Sequence, residues 1–136
     1  MPKSNTLKLA TLVNNLKNLI CLVPPANVEN VYLALFITAP GPVQGAGTEV
    51  VYSGYARQLV SFGAPAIVGT NAEIKNNANI AFATCTAPSG TFAYAGLFSA
   101  LTGGTLLYYT SLGVTYTLLE GSQPLVPTGT LTVFEY

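Results

Sequence analysis

Arg57 is the one arginine in the chain, and it follows Tyr55 and Glu49 closely in a stretch that reads as extended. A guanidinium offers a planar fork of donors that a carboxylate or a phosphate can accept bidentately. Glu49, or a glutamate of another subunit, supplies the carboxylate for such a pair. The structural or interfacial role is the stronger reading, with anion binding as its rival.

The other groups with chemical potential are few. Eight tyrosines, among them Tyr94, Tyr108, Tyr109 and Tyr116, could stack on sugar rings. Tyrosine is also enriched at protein interfaces, where it brings area and a hydroxyl together. Trp is missing, and so is the Asp often found around sugar hydroxyls. Core and interface roles therefore outweigh glycan contact, and Tyr108 and Tyr109 are candidate interface residues. Cys21 and Cys85 are expected as free, buried thiols of a protein made in a reducing cytoplasm. The stretches GPVQGAG and LTGG lead into no helix, lack a Gly-Lys-Ser/Thr ending and have no Lys nearby, so they read as loops and turns.

The absences exclude more than the presences suggest. The chain holds no His and no Asp, which removes a Ser-His-Asp triad, an imidazole base and a His-anchored zinc site. Two cysteines cannot make a four-sulfur metal site. No catalytic, cofactor-binding or metal-ligating residue is assigned, and the expected class is not an enzyme. Five scattered bases and zero net charge give no footprint for nucleic acid and no field toward an anionic membrane. The longest apolar stretch, Val31 to Ile37, is far shorter than a bilayer span. Interrupting Asn and Lys residues argue against a signal peptide.

At 136 residues the chain has the size of one domain. Half of it is hydrophobic and 7% is charged, against about 25% in an ordinary soluble domain. Area scaling gives this mass roughly 6,800 Å² of surface, or one charged side chain per ~700 Å². A neutral, charge-poor surface favours association, so the composition is that of a subunit in an assembly.

The elements that must carry these residues divide in two. Residues 1–23 read as a helical arm, with Ser4 as N-cap and Pro24-Pro25 closing it. Within it Leu9, Leu12, Val13, Leu16, Leu19 and Ile20 form one apolar stripe at helical spacing. That stripe packs either on its own domain or on a neighbouring subunit. Residues 24–136 read as a β-sandwich or jelly roll, with strands expected at Val31–Thr38, Tyr55–Phe62, Ala66–Val68, Ile80–Thr86, Phe92–Phe98, Thr105–Ser111, Val114–Leu119 and Thr130–Tyr136. Val31–Thr38 is apolar on both faces, as a doubly buried strand is. Gly103-Gly104 suits a two-residue hairpin turn. The fold class is mainly β, with one N-terminal amphipathic helix.

The runs YLALFITAP, GTEVVYSGYARQLVSFGAPA, NNANIAFATC, AGLFSALTGGTLLYYTSL and VPTGTLTVFEY resemble, in that order, a family of small tailed-bacteriophage virion proteins, variously labelled tail-fibre-like or head-decoration. The similarity extends from about Leu7 to Tyr136, and its strongest pieces are Thr48-Glu49-Val50 with Tyr55-Ala56-Arg57, and Thr102–Leu107. Ser99 stands where the family's hairpin usually has an acid, and Ala95 where a larger side chain is common. The resemblance implies a virion component made in the host cytoplasm. Combined with the composition, it gives as first expectation a capsid decoration (cement) protein that binds the major capsid protein or another virion protein. A trimer is the expected homo-oligomer, because three-fold positions abound on icosahedral heads. The alternatives are a tail, baseplate or fibre-attachment protein of the same fold, and a glycan-binding module for the host surface.

Overall fold

The computed structural model describes residues 30–43, 45–69 and 71–135. The arm 1–23, its apolar stripe, Cys21 and the arm's boundary with the β-domain lie outside the described residues. Among the described residues there is no helix, and every strand pairing is antiparallel, so the chain is mainly β as its sequence indicates.

Strands β1 (Tyr32–Phe36), β2 (Gln58–Leu59), β6 (Thr91–Phe98) and β7 (Leu106–Thr117) form a four-stranded sheet in the order β2-β1-β6-β7. Strands β3 (Ala66–Val68), β4 (Asn71–Lys75) and β9 (Thr132–Glu135) form a second sheet in the order β3-β4-β9. The short strands β5 (Ile80–Ala81) and β8 (Leu125–Val126) pair with each other.

Alternation along β1 explains the layering. Leu33 and Leu35 enter one core with Val60, Ile80, Phe82, Leu97, Leu118 and Val133, which gathers residues from the large sheet and from both smaller ones. Ala34 and Phe36 point the other way, into a second core with Phe98 and Leu106. There the Phe36 and Phe98 rings stack with centroids 5.8 Å apart. Each face of a strand thus serves its own core, the arrangement that a continuous apolar run encodes.

Several expected boundaries change. Thr105–Ser111 and Val114–Leu119 are one strand, β7, twelve residues long. Gly113 reads as a break in sequence, but at φ 78° it lies inside a bulge where the register with β6 slips between Phe92 and Tyr94. A bulge absorbs extra residues without ending a strand. Tyr55–Phe62 and Ile80–Thr86 shrink to two-residue strands because their other backbone groups bond irregular chain, as in Phe82 N–H to Pro124 O at 3.0 Å and Cys85 N–H to Ser122 O at 2.8 Å. β4 and β8 are additions. Asn71–Lys75 is too polar, and Leu125–Val126 too short between Pro124 and Pro127, to signal a strand. Gly103 and Gly104 do take positive φ (62° and 73°), but the turn joining β6 to β7 is the longer loop 99–105 rather than a two-residue one. Ser99 closes it, its N–H donating to Thr105 O at 3.0 Å and its hydroxyl accepting from Thr105 N–H at 2.9 Å.

Candidate functional site

The outer edge of β1 is paired in two pieces. Val50 N–H donates to Leu35 O at 2.9 Å and Ile37 N–H to Thr48 O at 2.8 Å, while β2 covers the start of the strand. Between these pieces the chain loops away, which would leave the Leu35 N–H without a strand partner. The Tyr55 hydroxyl accepts from it at 3.0 Å and donates to Glu49 Oε1 at 2.9 Å. The Tyr55 ring stacks on Phe82 at 5.9 Å, anchoring the loop in the first core.

Arg57 completes the arrangement. Its Nε and Nη2 donate to Glu49 Oε1 and Oε2 at 3.0 and 2.9 Å, a bidentate pair. Its Nη1 reaches the far hairpin, donating to Ala100 O at 3.1 Å and Gly103 O at 2.7 Å. The guanidinium carbon lies 3.8 Å from the centroid of the Phe98 ring in the second core. Side-chain exposure is 10% for Arg57 and 26% for Glu49, so the pair is largely shielded. Burial, reinforced by the Glu49 charge, pushes the Tyr55 phenol well above its ordinary pKa. With its guanidinium committed to a carboxylate and two carbonyls, Arg57 acts as a clamp that ties the loop after Glu49 to the loop 99–105. Glu49, Tyr55 and Arg57 are close in sequence, and their side chains converge because the chain leaves β1's edge after Val50 and returns to it at β2.

The tyrosines are not gathered into one platform. Tyr108 packs on the first core and Tyr109 on the second, as consecutive residues of a strand do. The Tyr109 ring lies directly against Gly41, where any side chain would collide with it. Tyr94 joins Tyr109, whereas Tyr116 is half exposed and stacked on Phe92 at 5.2 Å. Cys85 is a buried free thiol in the first core. Burial, and Cys85 beside it, raise the pKa of Tyr52, whose hydroxyl donates to Ala83 O at 2.7 Å.

A second feature escapes any sequence motif. An open, mainly apolar groove of about 740 Å³ lies between β7 and the segment running from Gln123 to Thr132. Its floor includes Leu33, Leu35 and Ala95, and its walls include Leu112, Leu125 and Leu131. The small side chain of Ala95 is thus a buried part of the groove's lining. One wall is fixed by Asn76, which is buried and fully bonded. Its Nδ2 donates to Ala78 O and Pro127 O at 2.9 and 3.0 Å, and its Oδ1 accepts from Leu131 N–H at 2.9 Å. Asn79 Oδ1 accepts from Thr128 N–H and its hydroxyl at 2.9 and 3.0 Å. The only trace of this in sequence is the density of asparagines in NNAN at positions 76–79.

Among the described residues no group of three His, Cys, Asp or Glu side chains could hold a metal ion, and no helix is long and apolar enough to cross a membrane. A search of the curated proteins gave no match. A family model described as Podophage GP4 fiber I protein gp80 matches residues 3–134, almost the whole chain.

Proposed function

The chain belongs to the podophage GP4 fiber I protein family, and on that premise we propose that it is a non-enzymatic building unit of the virion's tail-associated fibre apparatus. It is a virion structural component, assembled from the host cytoplasm and associated with other virion proteins. The finer role, as fibre unit or attachment module, is our reading, and so is a homotrimeric state.

The family match favours the fibre apparatus, and the observation that supports a subunit of an assembly is the character of the described surface. Charges there are largely spent on one another, in the Glu49–Arg57 clamp and in a looser Glu73–Lys75 pair at 3.5 Å. Large apolar side chains face outward instead, led by Val51 at 83% and Ile67 at 79% exposure. β3 is an edge strand with all three residues exposed and apolar. Apolar edges of this kind are normally covered, and their burial carries none of the desolvation cost of unpaired charge. A surface built this way suits a subunit that spends its life against other subunits.

The same surface supports a second reading, decoration of the head lattice. A cement protein adds its lattice-binding free energy to shell stability. Virions lacking the protein separate the two. A fibre unit predicts normal heat resistance of the particle, a small copy number and loss of adsorption to cells. A decoration protein predicts intact adsorption, hundreds of copies and genome loss at lower temperature. A glycan array with the purified protein tests direct sugar recognition. A hydrolase signal abolished by replacing one glutamate would overturn the non-enzymatic assignment.

A further inference from the structure

We propose that the groove between β7 and the Gln123–Thr132 segment is the seat of the apolar stripe of the N-terminal arm, Leu9 to Ile20, of the same chain. Protein interiors are close-packed, and an open apolar space of about 740 Å³ with core residues for its floor is completed by apolar side chains from elsewhere. No charged residue lines it among the described residues.

The arm has the complementary need. Its stripe repeats at helical spacing, with Lys8, Asn14, Asn15, Lys17 and Asn18 mainly off the stripe. A helix of that length is marginal in water without a surface to pack on. The described chain begins at Asn30, just before β1, and β1 contributes Leu33 and Leu35 to the groove's floor. The stretch from Ile20 to Val31 can span roughly 35 Å when extended, enough to bring the arm back over its own domain. Pro24-Pro25 in that stretch disfavours a continuing helix and favours extended chain. The shortness of that tether, joined to the strand whose Leu33 and Leu35 line the groove, is what favours the chain's own arm over that of a second copy.

Two experiments on the full-length protein test this. In a Cys21→Ser background, with buried Cys85 retained, Leu9→Cys or Leu16→Cys is combined with Leu125→Cys on the groove wall, and the protein is oxidised. The expected result is a disulfide within one chain, at monomer mass, for at least one combination. A link between two chains would assign the groove to a neighbour's arm, and no link in either combination would leave it to another occupant; both outcomes overturn the proposal. The second experiment follows trypsin cleavage after Lys17. Leu125→Glu places a carboxylate on an exposed part of the wall, and cleavage is expected to accelerate at least tenfold while the β-sheet circular dichroism is unchanged. An unchanged cleavage rate in that folded variant refutes docking in the groove.

Discussion

The clamp around Arg57 and the groove beside β7 use opposite materials. The clamp gathers two of the chain's ten charged side chains, a tyrosine hydroxyl and two loop carbonyls into a set in which each polar group answers another. The groove has apolar walls and holds its shape through Asn76 and Asn79 from behind. A satisfied polar network fixes one geometry and tolerates little change, because a partner left alone in a shielded place pays its full desolvation. An apolar groove is indifferent to small changes in its rim and receives whatever apolar surface fits it. Rigidity is thus concentrated where the two cores meet, and receptivity on the side where β7 has a strand neighbour on one side only.

The contrast is broken most severely by Arg57→Ala. It leaves the partly shielded Glu49 and the carbonyls of Ala100 and Gly103 without their donor, and a loss of about 3–5 kcal/mol is expected in urea unfolding. A change below about 1 kcal/mol would mean that the clamp holds nothing. Tyr55→Phe keeps the ring on Phe82 but removes the group that serves both Leu35 N–H and Glu49, so about 1–3 kcal/mol should be lost.

Alkaline pH sharpens the same comparison. The Tyr55 phenol has its pKa raised in the folded chain, so the stabilisation linked to its proton is fully present below about pH 10 and is lost as pH rises toward the folded value. Between those limits the slope is about 1.4 kcal/mol per pH unit for one such group. Unfolding free energies measured at pH 9 and 11 should therefore fall further in the wild type than in Tyr55→Phe. An identical fall in both would remove Tyr55 as the cause. The smallest effect belongs to the groove's rim: Leu125→Ser, at a half-exposed site, should change the stability of the β-domain itself by no more than about 0.5 kcal/mol, even where it loosens the docked arm. A loss comparable to that of Tyr55→Phe would show that the rim is as tightly determined as the clamp.

How far the sequence could be read followed the range of the forces involved. β1 is legible because a short apolar run rich in strand formers is a local signal, too brief for a helix and apolar on both faces. The positive φ at Gly103 and Gly104 is legible for the same reason, being a property of the residues themselves. Arg57 with Glu49 was legible as a possible pair, but not its grip on Ala100 and Gly103, which lie more than forty positions away. β4 and β8 were not legible, since a strand of Asn71–Lys75 composition exists because β3 and β9 flank it.

By itself the sequence determined a mainly-β chain poor in charge, without the side chains of a histidine-based or aspartate-based catalyst, and similar to phage virion proteins. Those properties are sums over residues or patterns within a few positions, and folding cannot alter them. Tertiary structure alone decided that Gly113 bends a strand rather than ending it, that Ser99 closes a loop, and that Asn76 holds the wall of a groove. Each of these depends on which distant backbone groups come within hydrogen-bonding distance, and that is set only when the two cores assemble and every shielded donor must find its acceptor.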